Sequence, residues 1–314
     1  MTFRTKIFTP SALSKSHRDL IYKPTRHKLL INDPGVTVTM SDNEELRLTP
    51  MNSRERPNKK QSLARLLELL QDGKDWQNLP AFLEGMHMAG EQMSNGYMEK
   101  FVRRANEQGK TGIIIRCAEM VKKTGLTLAD PAVTTELMLG IHMRAAKAGF
   151  KGEETEKALQ WAQEVALLME RPEHCGGNVW MIHERDMRKD LTVLAVMLEL
   201  RAARADRPEE ADITFGVVTK TASKVMALWP QQDLHVSENA GLARVQLEKW
   251  LPLWAGMKFA MTGKSVQDAK LRNELSNAHK ALSKSVEQAR TRVEEASSGR
   301  PRRCLHMYND VKDL

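Results

Sequence analysis

A recurrence of 36 residues limits most strongly what this chain can fold into. The pair Gly73-Lys74 returns as Gly109-Lys110, and Leu79 returns as Ile115, at that offset. The glycines that close the two stretches, Gly90 and Gly125, stand 35 apart. Tyr97, Phe101 and Ala105 are matched 36 residues later by Val133, Leu137 and Ile141. Within each stretch the apolar residues fall three or four apart, the spacing of one face of an α-helix. Two such helices per period make a hairpin that cannot bury its apolar faces alone and must stack on its neighbours.

Helical signals continue almost without a break, from "SLARLLELLQ" near residue 62 through "PAVTTELMLGIHMRAAKAG", "ETEKALQWAQEVALLME" and "MRKDLTVLAVMLELRAA" to "FGVVTKTASKVMALW". The pattern predicts an all-α protein. An apolar helix around Leu242, Val245, Leu247, Trp250, Leu251 and Trp254 would close the end of the stack, since a terminal unit must cover an open core. A single helix from about Ser265 to Ala296 follows, with Leu271, Leu275, Ala278, Leu282, Ala289 and Val293 as a narrow apolar stripe. Such a helix either packs along the stack or projects as a docking arm. The expected layout is a basic extended arm over 1–60, a hairpin domain over 61–256, the long helix over 257–297 and a flexible tail over 298–314.

Charge is unevenly spread. The chain carries +8 overall with a pI near 9.3, a surplus that suits an anionic partner. Residues 1–31 contribute +6, from Arg4, Lys6, Lys15, Arg18, Lys23, Arg26 and Lys28 against Asp19. Residues 100–151 contribute another +6, from ten bases against four acids. The basic, hydroxylated, acid-poor N-terminus has the composition of a mitochondrial targeting segment, or equally of an arm that grips RNA or a partner. Three cysteines without CxxC spacing suit a reducing compartment, and no apolar run reaches the ~20 residues of a membrane span.

The triplet Gly109-Lys110-Thr111 resembles the end of a phosphate-binding loop, but that loop needs a glycine where Arg104 stands and a preceding strand. The reading that remains is a turn between two helices with Gly109 as a left-handed cap. No nucleophile elbow, zinc-protease or dinucleotide motif occurs, so no enzymatic activity and no cofactor are expected. His174-Cys175 and Cys304 with His306 lack the tight paired spacing of zinc ligands. His87, His142 and His183 fall at isolated helical positions, where a satisfied core histidine is commoner than a catalytic one. Met86, Met88, Met120, Met138 and Met143 read as core filler, and the six tryptophans are too dispersed in sequence to form a stacking platform.

The segment Ala118, Met120, Lys122, Lys123, Gly125, Asp130 and Pro131 resembles the end of a pentatricopeptide repeat, and residues 96–150 carry the likeness best. The related tetratricopeptide hairpin remains an alternative. The resemblance implies a right-handed superhelix of hairpins, localisation to the mitochondrial matrix, and a role in organellar gene expression as a ribosomal subunit or associated factor. It also implies base-reading positions at Glu99, Asp130 and Thr135. A carboxylate at 99 departs from the family's small polar residues and favours RNA recognition by shape. The candidate RNA-binding cations are Arg103, Arg104, Lys110, Arg116, Lys122, Lys123, Arg144 and Lys147. RNA and neighbouring ribosomal or organellar proteins are the expected partners, with no small-molecule substrate; a protein-only scaffold is the competing function.

Overall fold

The computed structural model describes residues 9–314 except 33, 40–44, 53–58, 71–72, 92, 178, 181–182, 184–185, 206–210, 298 and 300–301. About 74% of the chain is helical, and the described strands form one short hairpin. Two compact units divide the chain. One combines Met1–Phe101 with Arg116–Leu126, the other Val102–Ile115 with Thr127–Leu314.

The first unit begins with α1 (Thr9–Ala12), α2 (Lys15–Tyr22), a 3-10 turn at Pro24–Arg26 and α3 (Lys28–Ile31). Ser14 caps α2 by accepting from the His17 amide. The antiparallel pair β1 (Thr37–Thr39) and β2 (Glu45–Arg47) follows, with Val38 opposite Leu46. These two face a small core of Leu13, Ile21, Leu30 and Leu48, joined by Leu20, Tyr22, Val36 and Met51. Main-chain bonds from Leu48 N to Val36 O and from Met51 N to Ile21 O, both 2.8 Å, tie the segment together. The arm expected to be extended is therefore folded among its described residues, because alternate apolar side chains in "LIY", "LLI" and "ELRL" find one another.

The rest of this unit contains α4 (Lys59–Leu69), α5 (Gly73–Gln77), α6 (Leu79–Met88), the first half of α7 (Asn95–Glu107), the end of α8 (Thr111–Glu119) and α9 (Val121–Thr124). Helix α6 packs on α9, and Trp76, Leu79, Leu83, Phe101, Cys117, Ala118 and Leu126 are buried. Gly125, at φ +69°, ends α9 by donating to Val121 O. A Cβ there would stand 3.0 Å from His87 Nδ1, so backbone conformation and close approach both call for glycine. Met86 is buried as expected, whereas Met88 is 61% exposed and is no core residue.

The second unit contains α10 (Pro131–Lys147), α11 (Gly152–Met169), α12 (Leu191–Arg204), α13 (Ala211–Leu228), α14 (Ala240–Thr262), α15 (Ala269–Ser297) and α16 (Arg303–Val311). Asp130, Asp190 and Asn239 cap α10, α12 and α14, each accepting two main-chain N–H groups. Helix α10 packs on α11 and α12, α12 on α13 and α14, and α14 on α15. Hence α10 and α12 are enclosed on nearly every side, which explains their weak amphipathic signal. Between α10 and α11, Phe150 holds φ +55°. Its ring lies 5.0 Å from Phe259 and 6.2 Å from His142, packing that offsets a left-handed backbone costing about 1–3 kcal/mol.

Two boundaries change. Residue 256 falls inside α14, and the stripe of α15 is buried against it rather than projecting. The supposed flexible tail contains α16, which buries Cys304, Met307 and Val311. Tyr308 on α16 stacks on Trp254, and Trp254 stacks on His279, with centroids 6.5 and 5.6 Å apart. Folding thus gathers aromatics that lie far apart in sequence.

Charged groups complete the core of this unit. Arg303 contacts both carboxylate oxygens of Glu136 and, at 2.8 Å, Glu248. Arg103 reaches Glu136 at 3.3 Å. Burial alone would lower the Arg303 pKa, but the two carboxylates outweigh it and hold the guanidinium protonated. His142 and Glu199 form a pair with no solvent exposure, 2.8 Å apart. Desolvation raises the Glu199 pKa above its ordinary value, although His142 opposes the shift.

Two outcomes test this core. Arg303→Ala leaves Glu136 and Glu248 short of a cation, and chemical denaturation is expected to show a loss of about 3–5 kcal/mol. The second concerns pH. A raised Glu199 pKa means the folded state holds that proton more tightly, so this contribution is fully present below pH 4.5 and declines as pH rises through the folded value. Thermal unfolding of wild type and Glu199→Gln between pH 4 and 8 should show that decline in the wild type only.

Candidate nucleic-acid interface

The eight candidate cations divide between the two units. Arg116, Lys122 and Lys123 belong to the first; Arg103, Arg104, Lys110, Arg144 and Lys147 belong to the second.

In the first unit all three are exposed. Lys122 and Lys123 lie on α9, whose left-handed end at Gly125 fixes where they emerge. Lys123 has Glu84 3.7 Å away, with side chains 66% and 39% exposed. An exposed pair of that kind contributes about 0–1 kcal/mol, little enough for a phosphate to replace the carboxylate. Arg116, near the end of α8, has no acidic partner among the described residues.

In the second unit the cations serve different purposes. Arg103 is committed to buried Glu136, and Arg104 pairs with Glu107 at 3.4 Å on the surface. Arg144 is pinned by Glu154 at 2.5 Å and lies 4.7 Å over the Trp161 ring. Lys110 is half-buried in the turn after Gly109, and Lys147 is exposed at the end of α10. Neither has an acidic partner among the described residues. Arg144 and Lys147 line a pocket of about 380 Å³ with Asn106, Thr111, Gly140, Glu107 and Glu154. Its mixed charges suit a surface cleft flanked by cations better than a closed anion site.

The pocket wall depends on one close approach. Asn106 donates to Glu136 O at 2.7 Å and accepts from the Thr111 hydroxyl at 2.9 Å. Its side chain occupies the space where a Cβ on Gly140 would be, 2.0 Å from that ideal position. The triplet that mimics a phosphate loop is therefore a helix turn: Gly109 has φ +68°, and Thr111 is spent on Asn106.

The proposed base-reading positions are also occupied. The Asp130 carboxylate accepts from Ala132 N and Val133 N at 2.9 and 3.1 Å, and Thr135 is buried. Glu99 is half-buried. The Asp-Pro step that ends the repeat motif is thus a helix N-cap followed by a first-turn proline. His174 accepts from Leu128 N at 3.0 Å, and Cys175 lies 3.9 Å from Pro172 O. Burial raises the Cys304 thiol pKa to about 11. His174 and Cys175 thus have structural partners, and Cys304 is buried.

A family model described as mitochondrial ribosomal protein mS27 matches residues 1–310. The chain belongs to the mS27 family of mitochondrial ribosomal proteins. The small ribosomal subunit protein mS27 of Neurospora crassa is 28% identical over 283 residues, covering 82% of this chain and 69% of that protein. Membership makes this mS27-family chain a non-catalytic protein of mitochondrial translation in the matrix. In such a protein a cation acts by being displayed, and the ion pairs above separate displayed cations from those spent on the fold.

Gly140→Ala would drive a methyl into Asn106. A loss of roughly 1–3 kcal/mol is expected for such overpacking, read as a lower urea midpoint with the Asn106 contacts to Glu136 and Thr111 broken.

Proposed function

We propose that this chain is a structural subunit of the small subunit of the mitochondrial ribosome, held between ribosomal RNA and neighbouring ribosomal proteins. The family match across residues 1–310 carries the reading, and the Neurospora crassa relative is by its name a small-subunit protein. Within that role, Lys110, Arg116 and Lys147 meet the RNA backbone first, and exposed Lys122 lies beside Lys123 on α9. Arg104 and Lys123 can join them by exchanging weak surface partners for phosphate. Arg103 and Arg144 act at one remove, by holding helices in place. Each phosphate neutralised releases counterions, so binding weakens steeply with salt.

The architecture we propose for residues 61–256 is a right-handed superhelix of pentatricopeptide-like hairpins. The 36-residue recurrence and the capped ends at Gly125 and Asp130 support it, as does the packing of first helix on first helix from α10 to α12 to α14. These first helices begin 60 and then 49 residues apart, so the later hairpins are enlarged members of the series. With Asp130 spent on a cap and Thr135 buried, the RNA is recognised by shape and charge rather than base by base.

The test is sedimentation of the tagged protein with mitochondrial ribosomal subunits over a salt series. Wild type should travel with the small subunit, and Lys110→Glu/Arg116→Glu/Lys147→Glu should leave it at lower salt. Wild-type protein that stays at the top of the gradient, or binds no RNA at low salt, would return the reading to a protein-only scaffold.

A further inference from the structure

The N-terminal segment combines two properties that composition alone could not connect. It is basic enough to direct import, and it is folded. Three of the four buried members of its core, Leu13, Ile21 and Leu30, lie before residue 32, while the fourth, Leu48, lies after it. His27 Nε2 contacts Ile21 O at 3.0 Å, and Ile21 O also receives the Met51 amide. Removing residues 1–31 would strip the inner face of the β1–β2 hairpin and leave Val36, Val38, Leu46, Leu48 and Met51 uncovered.

The outside of the same segment is cationic. Residues 9–32 contain five bases, Lys15, Arg18, Lys23, Arg26 and Lys28, against Asp19, a net charge of +4. All five are exposed. Asp19 accepts from Lys23 at 2.8 Å. The Lys23 hydrogen bond holds its carboxyl below the usual range, with Arg26 and Lys15 close enough to add to the effect. Arg47, also exposed, shares its strand with exposed Glu45, so the positive surface is that of residues 9–32; the Arg47 guanidinium lies 3.1 Å from where a Gly35 Cβ would sit, near the Leu30 carbonyl. Residues 9–32 thus present five cations with Asp19 as their one acid.

We infer that the described residues of 9–52 are retained in the mature protein as a folded module, and that its helical part, residues 9–32 with a net charge of +4, grips the phosphate backbone of ribosomal RNA. The choice of RNA rests on the ribosomal reading above; retention rests on the core alone. An anionic bilayer would also attract the charge, but the module's exposed large apolar side chains among the described residues are Leu29 and Ile31. Two such side chains on one short turn give little area to insert. Serine, threonine and guanidinium donors at its surface match phosphate oxygens.

The full chain with Lys15→Glu/Arg26→Glu/Lys28→Glu tests the module, because none of these side chains holds the core. Against a transcript of the mitochondrial small-subunit ribosomal RNA, the variant should bind at least about ten-fold more weakly. The neutral variant Lys15→Gln/Arg26→Gln/Lys28→Gln should lower the log Kd against log salt slope by about three, and it decides the matter if the glutamates disturb folding. Unchanged affinity and slope for the folded neutral variant would overturn the RNA contact. So would a loss of binding to phosphatidylglycerol vesicles with RNA binding intact. If the Lys110→Glu/Arg116→Glu/Lys147→Glu variant remains on the small subunit while the module variant leaves it, the module stands without those three cations; the reverse result removes the module alone. Intact mass of the protein from purified mitochondria should give an N-terminus at or before Thr9, and one beyond Ile31 would overturn retention.

Discussion

Glu136 enters the interior of the second unit as a carboxylate, and much of that unit is organised around keeping it there. It lies on α10 with its side chain 4% exposed. Arg103 reaches it from α7 and Arg303 from α16, while Arg303 also contacts Glu248 on α14. The cluster balances two carboxylates with two guanidiniums, which offsets a desolvation cost that neither sign would survive alone. Hydrophobic contacts could be satisfied by several registers of one helix on another. A four-charge cluster is satisfied by one register only, so it specifies where α16 docks. Once it has docked, Tyr308 stacks on Trp254 and contacts Glu287 through its hydroxyl.

That cluster also shows where sequence reading stops. The helices were legible because apolar spacing of three and four is local, and the hairpin turns because Gly109 and Gly125 sit where left-handed caps are needed. Arg303 falls within a segment that composition alone marks as a flexible tail, since its partner Glu136 lies 167 residues away and no local pattern joins them. The small core of the N-terminal segment escapes sequence reading for a similar reason. Its apolar residues come in twos and threes among charges, too few for a periodic signal, and only closure of a small hairpin makes them a core. Among the candidate cations, type and number were evident from the sequence, but the division of labour was not. Whether a cation is displayed or consumed depends on acids such as Glu136, Glu154 and Glu84 brought in by folding.

The loss of the 36-residue rhythm after Phe150 has a physical cause in the connections. Between α11 and α12 the chain is drawn in by Arg188, which contacts Asp186 at 2.6 Å, Glu170 at 3.0 Å and Val179 O at 2.9 Å. Its side chain is 7% exposed. Arg188 thus ties the described residues of this connection to the end of α11, while α10 and α12 still pack together. Sequence periodicity therefore fails where helix packing continues from α10 to α12 to α14.

Charge distribution then distinguishes two ways a ribosomal protein can use arginine and lysine. In the second unit, arginines with planar guanidiniums bridge buried carboxylates, a task that lysine's point charge performs poorly. At the N-terminus, a mixture of lysine and arginine faces solvent around one aspartate, where no fixed geometry is imposed and a nearby polyanion is attracted. The first use fixes shape and is insensitive to salt because its ions are shielded from solvent. The second is screened over about 10 Å at ordinary ionic strength and so works only at contact with RNA. A protein built this way keeps its fold while its grip on RNA is adjusted by ionic conditions, because the two functions draw on different sets of charges.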